Sequence, residues 1–292
     1  MEKIYEYIRQ HATRPSEALS WVEKQTHIRT NHARMLSGAV QGQILRLLVQ
    51  TSRAKRILEL GTFTGYSAIC LASAVPEGGH LDTREINDEL EDLILEGFER
   101  AGLDDKIELH IGDCKETLRR LRSGMGLDNG GQADPAMQYD IVYMDANKRE
   151  YCEYYDLIFD MVRPGGLILA DNVLWDGKVC EDPMPQDKQT LGIARFNDMV
   201  SADPRVESVI LPLRDGLNLI RRISSATIKQ LLTESACSLL AARTFCYTLI
   251  VNWLNDALLS GNLGTEGVEA DVYVLITAVD LVDVADHAGS LC

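Results

Sequence analysis

The chain has no Cys-x-x-Cys pair and no zinc-finger spacing. Its seven cysteines, Cys70, Cys114, Cys152, Cys180, Cys237, Cys246 and Cys292, are odd in number and widely scattered. That excludes a disulfide framework and reads as free thiols in a reducing compartment. No apolar run reaches the roughly 18–20 residues that span a bilayer. The opening MEKIYEYIRQH lacks the apolar stretch of a signal peptide, so the expectation is a cytoplasmic protein with no membrane partner. Positive charge is scarce: 29 Lys and Arg stand against 44 Asp and Glu, for a net charge of −15. With no long Lys/Arg cluster, such a chain repels phosphate backbones, and no nucleic-acid partner is expected. The pyrophosphate-cradling G-x-G-x-x-G is missing too.

What is present suits a packed core. Of 292 residues, 46% are hydrophobic and 25% charged, which suits one large α/β domain or one domain plus an appendage. Residues 1–50 carry helical periodicity, through Ile4, Tyr5 and Ile8, then Leu19 and Val22, then Ile44, Leu47 and Leu48. Arg56–Leu60 is a short apolar run suited to a buried strand, and His80–Glu85, Lys106–Ile111, Tyr139–Met144 and Leu167–Ala170 read as further strands. Between them, helices are predicted over Tyr66–Ala74, Asn87–Ala101, Cys114–Leu121 and Tyr151–Met161, the last ended by Arg163-Pro164-Gly165-Gly166. A long loop is expected from Ser123 to Met137. A helix over Leu191–Val200 precedes two strands, Val206–Leu213 and Leu217–Ile223, around the turn Arg214-Asp215-Gly216. The alternation predicts an open, mostly parallel sheet with helices on both faces and an antiparallel edge element.

Two constellations carry chemistry. The first strand runs into Glu59-Leu60-Gly61-Thr62-Phe63-Thr64-Gly65-Tyr66-Ser67. Its glycines permit a sharp turn and close approach of a ligand at a helix N-terminus. The G-x-x-x-G spacing suits a ligand with a carboxylate and a ribose and no phosphate. Glu85 ends the second strand 24 residues after Gly61, where an acid binds ribose hydroxyls in nucleoside-binding sheets. A plain helix-start turn and a surface acid explain the same residues. In the second constellation, Tyr139–Met144 leads into Asp145-Ala146-Asn147-Lys148, and Leu167–Ala170 into Asp171-Asn172. If those strands are neighbours, Asp145, Asp171 and Asn172 converge as an oxygen-only set suited to Mg²⁺ or Ca²⁺. Lys148 reaches the same place, and burial beside a dication suits a lysine to act as a base. The competing reading makes the acids helix caps or turn residues.

These stretches resemble the cation-dependent S-adenosylmethionine O-methyltransferases of the catechol and caffeoyl-CoA type. The matching pieces are RILELGTFTGYSA, TREIND, KIELHIGD, YDIVYMDANKREYCEYYD, RPGGLILADNVLWDGKV, RFNDMVSADPRV and RDGLNLIRRI, in order over about residues 15–223. The resemblance implies a Rossmann-like class I methyltransferase sheet of seven mostly parallel strands with an antiparallel C-terminal hairpin strand. It implies a methyltransferase domain over residues 1–223, with residues 1–50 as a helical cap. Glu59, Gly61, Phe63, Gly65, Ser67 and Asp145 would border the methionine part of S-adenosylmethionine, and Glu85 its ribose. Asp113 and Cys114 would border the adenine, and Met35 and Ser37 would line the cofactor from upstream. Asp145, Asp171 and Asn172 would bind Mg²⁺, and Lys148 would take the hydroxyl proton of a vicinal dihydroxy aromatic acceptor. Relatives commonly dimerise, so a homodimer joins the expectations.

The chain departs from the family pattern at Asn147, where Asp is frequent, and at Cys114, where Ala is. Near the final hairpin, Glu207 stands early for the acceptor-holding glutamate of the animal catechol enzymes. Trp175 either walls the acceptor pocket or staples its loop. His27 and His32 read as a polar loop, Cys70 as core, and His110 as a half-exposed strand residue. A nicotinamide-dependent oxidoreductase, a methyltransferase acting on RNA or protein, and a non-catalytic cofactor-binding module are the alternatives. The absent Tyr-x-x-x-Lys pair and the absent Asn-Pro-Pro-Tyr-like motif weigh against the first two. Residues 224–292, with a net charge of −6, read as an added tail, with helices expected over Ala226–Ala242 and Phe245–Leu259.

Overall fold

The computed structural model describes residues 2–127 and 133–224. Residues 128–132 of the expected long loop, and the expected tail beyond Ser224, lie outside the described residues.

Three helices open the chain, α1 (Glu2–His11), α2 (Glu17–Arg29) and α3 (Gly38–Ser52). The sheet then alternates with helices: β1 (Arg56–Leu60), α4 (Tyr66–Ala72), β2 (His80–Glu85), α5 (Glu91–Ala101), β3 (Ile107–Ile111), α6 (Cys114–Gly124), β4 (Tyr139–Met144) and α7 (Tyr151–Ile158). It ends with β5 (Val162–Asp171), α8 (Lys188–Ser201), β6 (Val206–Leu211) and β7 (Leu217–Arg222). The seven strands lie in the order β3-β2-β1-β4-β5-β7-β6. β3 to β5 pair in parallel, while β7 runs antiparallel to both β5 and β6. This is the architecture expected from the alternation of elements.

Strand period 2 sends alternate residues to opposite faces, and the two faces carry separate cores. Leu58, Leu60, Val142, Met144, Ile168 and Ala170 face one core with Tyr151, Tyr155, Ile193 and Phe196 of α7 and α8. Ile57, Ile141, Tyr143 and Leu169 face the other, with Val22, Leu45, Ile69, Ile94 and Phe98 of α2 to α5. Burial on both faces explains why the central strands read as continuous apolar runs.

Boundaries differ from expectation in several places. β5 begins at Val162, so Arg163-Pro164-Gly165-Gly166 belongs to the strand rather than stopping a helix. Register against β4 jumps from Tyr139↔Val162 to Ile141↔Leu167, with Gly165 at φ 81° taking the left-handed bend. The Asp140 carboxylate fills the bulge by accepting from the Arg163 guanidinium and from the backbone N–H of Lys55 and Arg56 at 2.6 and 2.9 Å. α6 runs on to Gly124 because Arg122 donates to the Leu157 carbonyl at 3.0 Å, pinning its last turn beside α7. The helices expected over Asn87–Ala101 and Tyr151–Met161 each give one turn to a 3₁₀ segment, at Asp88–Leu90 and Phe159–Met161. His27 is helical, at the end of α2, and not in a loop.

Phe196 ties α8 to α7. It is fully buried, with its ring edge-to-face to Tyr151 at 5.3 Å and to Tyr155 at 6.0 Å. Phe196→Ala is expected to cost roughly 3–5 kcal/mol, read by urea unfolding; a cost under about 1 kcal/mol would mean the α7–α8 layer is not packed as described.

Candidate active site

The site grows from the carboxyl ends of β1, β2, β4 and β5. β1 ends at Leu60, and the chain turns at Gly61, whose φ is 96°. A Cβ on Gly61 would sit inside contact distance of the Asp145 carbonyl oxygen, so only glycine fits. Phe63 also takes positive φ, at 50°, and Gly65, at φ 85°, lets α4 start against Phe98.

Glu59 lies inside β1, fully buried on the α4 side of the sheet. One carboxyl oxygen accepts from the Thr83 hydroxyl at 2.5 Å; the other, Oε1, has no partner. Burial pushes its pKa up to about 8, with Ser67 and Thr83 pulling the other way. Glu85 closes β2, and its carboxylate accepts from the backbone N–H of Phe63 at 2.7 Å, Ile86 at 3.0 Å and Asn87 at 2.9 Å. The glycine loop is thereby tied to the end of β2. Asp113 caps α6, accepting from the Glu116 N–H at 3.0 Å, and Cys114 lies buried behind it, its thiol raised by burial to about 12.

β4 and β5 are neighbours, with Met144 opposite Ala170. Asp145 and Asp171 therefore emerge side by side. Lys148 Nζ donates to Asp145 Oδ1 at 2.7 Å, to the Tyr151 hydroxyl at 2.6 Å and to the Asp171 carbonyl at 3.3 Å. The Tyr151 hydroxyl lies 3.0 Å from both the Met144 and the Asp171 carbonyl oxygens. Burial and the nearby Asp171 raise the Asp145 carboxyl to about 6 against the pull of Lys148. The Asp171 carboxylate, 3% exposed, takes Gln41 Nε2 at 2.5 Å and the Tyr143 hydroxyl at 2.9 Å on Oδ2, and the Asn172 N–H at 2.8 Å on Oδ1. Asn172 sits at φ 58°, which turns the chain sharply after β5.

The N-terminal segment reaches this end of the sheet through Arg214, from the β6–β7 turn. Its guanidinium donates to the Leu36 carbonyl at 2.6 Å and to the Ser37 carbonyl. Ser37 is buried, whereas Met35 is 58% exposed. Gln41, Tyr143, Tyr151 and Arg214 are positioning residues that the sequence reading missed. The alternation of β4 was their signal for Tyr143; Gln41 and Arg214 are brought in from about 130 and 40 residues away from Asp171 and have no local mark. Trp175 is half-buried at φ 50°, and its Nε1 is buried without a partner. Glu207 is exposed and paired with Arg221 at 2.9 Å.

A family model described as O-methyltransferase matches residues 9–223. The chain belongs to the O-methyltransferase family. Caffeoyl-CoA O-methyltransferase 5 of Nicotiana tabacum is 34% identical over 230 residues, covering 76% of this methyltransferase and 92% of the relative. A caffeoyl-CoA O-methyltransferase of Eucalyptus gunnii is 33% identical over 76% of the chain and 88% of the relative. Among solved structures, the O-methyltransferase TomG of Streptomyces achromogenes, in complex with SAM, is 30% identical. It aligns at a TM-score of 0.66 over 76% of this methyltransferase and 96% of that chain. An O-methyltransferase of Bacillus cereus in complex with SAH is 28% identical, at a TM-score of 0.64 over 75% and 97%. The methyltransferase is thus of the caffeoyl-CoA type in sequence, and the oxidoreductase alternative falls away.

Glu59 supplies a pH test of this geometry. A carboxyl whose folded pKa is about 8, against 4.5 for an unperturbed group, favours folding most below about pH 4.5. That contribution fades as pH rises toward 8. Glu59→Gln should therefore gain stability relative to the parent between pH 5 and 8, by at most about 1.4 kcal/mol per pH unit. Urea unfolding of both proteins at those two pH values measures it; an unchanged difference would mean Glu59 is already ionised in the folded protein.

Proposed function

We propose that this methyltransferase moves the methyl group of S-adenosylmethionine onto one hydroxyl of a vicinal dihydroxy aromatic small molecule. Lys148 acts as the base, and a divalent cation is held by Asp145, Asp171 and Asn172. The observation that carries the reading is the meeting of Asp145, Lys148 and Asp171 at adjacent strand ends, with Nζ 2.7 Å from Asp145 Oδ1. Buried ionisable groups gathered at the carboxyl ends of parallel strands mark a ligand crevice.

The donor set suits a hard cation. Two carboxylates and an amide oxygen offer only oxygen, as Mg²⁺ prefers. Asp145 Oδ2 and the Asn172 side chain carry no hydrogen bond among the described residues, and the Lys148 ammonium pairs with Asp145 alone. A divalent cation bound there would act as a Lewis acid on the acceptor hydroxyl. Lys148 Nζ, fixed by Asp145 and Tyr151, takes the hydroxyl proton when in its neutral amine form, becoming the ammonium that Asp145 pairs. The oxygen–methyl bond forms as the sulfur–methyl bond breaks, and S-adenosylhomocysteine is left. Gln41 and Tyr143 hold Asp171 in place throughout.

The cofactor fits an unfilled acceptor. Glu59 Oε1, buried and without a partner, suits the ammonium of the methionine part beside Gly61, Phe63, Gly65 and Ser67. Glu85 suits the ribose, Asp113 and Cys114 the adenine side, and Met35 and Ser37 the rim. The four described free cysteines and the absence, among the described residues, of a helix able to cross a membrane support a cytoplasmic enzyme of small molecules.

Methyl transfer to a panel of simple catechols, followed by mass spectrometry, tests the proposal. Product should appear with Mg²⁺, vanish with excess EDTA and return on adding Mg²⁺ back. Product indifferent to EDTA would remove the cation from the mechanism. Lys148→Ala should lower kcat by about 10²–10⁴-fold with cofactor binding retained; a variant as active as the parent would remove Lys148 as the base.

A further inference from the structure

A second cluster of ligand-type side chains lies apart from the crevice, on β2 and the edge strand β3. β2 begins His80-Leu81-Asp82, and β3 contains Glu108-Leu109-His110. In the parallel register Asp82 is opposite Glu108, two residues on Arg84 is opposite His110, and the alternation brings His80, Asp82, Glu108 and His110 to one face. Two imidazoles and two carboxylates are thus gathered by two tripeptides of mirrored pattern, one His-x-Asp and one Glu-x-His.

Their atoms converge. His80 Nε2 stands 3.6 Å from Asp82 Oδ1 and 3.5 Å from Glu108 Oε2. His110 Nε2 stands 3.7 Å from Asp82 Oδ1 and 3.2 Å from Glu108 Oε1. Ligand atoms of His80, Asp82 and Glu108 all fall within 4.8 Å of one another. Neither imidazole makes a hydrogen bond in this cluster, and His110 Nε2, although buried, meets Glu108 and Asp82 only as ion-pair contacts. Ligands on a tetrahedral ion with bonds of about 2.0–2.1 Å lie roughly 3.3–3.4 Å apart; the contacts here, 3.2 to 3.7 Å, straddle that spacing, with His80, Asp82 and Glu108 the mutually converging three and His110 beside them. Direct N–H···O hydrogen bonds run about 2.7–3.2 Å, so three of the four contacts are longer than a hydrogen bond and the His110–Glu108 contact lies at its limit.

The surroundings orient the set. The Tyr139 hydroxyl donates to Asp82 Oδ2 at 3.0 Å, leaving Oδ1 turned to both histidines. A hydrogen bond on the far oxygen of a carboxylate ligand is how metal sites fix their geometry. Arg84, buried behind the cluster, reaches Asp82 Oδ1 only at 3.9 Å, which leaves the imidazoles nearer to that oxygen. Asp82 is the buried floor, and Glu108 and the two histidines open toward solvent, giving an ion a way in.

We propose that His80, Asp82, Glu108 and His110 form a binding site for one divalent transition-metal ion, with Zn²⁺ the ion their nitrogen and oxygen donors suit. This set is chemically distinct from Asp145, Asp171 and Asn172, which offers no nitrogen. Bound there, the ion clips edge strand β3 to β2, the two strands whose carboxyl ends carry Glu85 and Asp113.

The test uses the full chain, stripped with chelator and then dialysed against Zn²⁺ or Co²⁺ with millimolar Mg²⁺ present to occupy the oxygen-only set. The expected result is one Zn²⁺ per chain, visible Co²⁺ bands of a four-coordinate nitrogen–oxygen site, and a rise in Tm on adding Zn²⁺. His80→Ala and His110→Ala should each weaken Zn²⁺ binding at least tenfold, and the double variant should lose the Co²⁺ bands and the Tm rise. No uptake by the parent at micromolar ion, or bands unchanged in the double variant, would overturn the site and leave a solvated ion-pair cluster.

Discussion

The contact between Gly61 and the Asp145 backbone is the constraint on which the crevice depends. β1 and β4 lie side by side, and the Asp145 N–H donates to the Leu60 carbonyl at 2.8 Å, so the two strand ends leave the sheet together. Gly61 and Thr62 meanwhile donate to the Arg84 carbonyl at 2.9 and 3.1 Å, binding the same turn to β2. A side chain at position 61 would push the glycine loop off Asp145 and open both joints. β1 is also where the strand order turns, with β2 and β3 on one side and β4 and β5 on the other. Crossover connections diverge at such a point, and the space they leave is where α/β sheets bind ligands.

Around that space the molecule keeps charge where a core would exclude it. Glu59 and Asp171 are at most 3% exposed, and Lys148 is 8% exposed. Burying such groups costs several kcal/mol each unless they are paired. They are handled differently. Asp171 is surrounded by three donors, from Gln41, Tyr143 and its own neighbour Asn172. Lys148 has a carboxylate, a phenol and a carbonyl. Glu59 has one hydroxyl bond and one oxygen without a hydrogen bond, and burial raises its pKa against the pull of Ser67 and Thr83. A group left short of partners in an otherwise satisfied site is a place prepared for a ligand of opposite charge.

The central strands Arg56–Leu60 and Tyr139–Met144 were legible because they are buried on both faces and read as apolar runs; His80–Glu85, a more polar stretch, also has the predicted bounds. The acids at the ends of β4 and β5 were legible for the same reason, since a strand end fixes which residue meets the crevice. What was hidden has a common cause. The bulge at Arg163–Gly166 depends on Asp140 of the neighbouring strand, and a Pro-Gly-Gly run read alone is a stop signal. Gln41, Arg214 and Tyr151 act through side chains whose partners are distant in sequence or set by helix packing. His110, legible only as a half-exposed strand residue, gains meaning from its β3 register against Arg84, two residues beyond Asp82.

The two donor sets on one sheet also constrain each other through ion selectivity. Divalent affinity for nitrogen-containing sites rises steeply toward the later transition metals, while an oxygen-only set discriminates little and is governed by which ion is abundant. On the proposed reading, Asp145, Asp171 and Asn172 would hold Mg²⁺ through oxygens alone. The proposed His80–Asp82–Glu108–His110 site contains the nitrogens that the crevice lacks and would favour the later transition metals. Placing imidazoles on β2 and β3, and none among the crevice acids of β4 and β5, separates the two chemistries by position in the sheet.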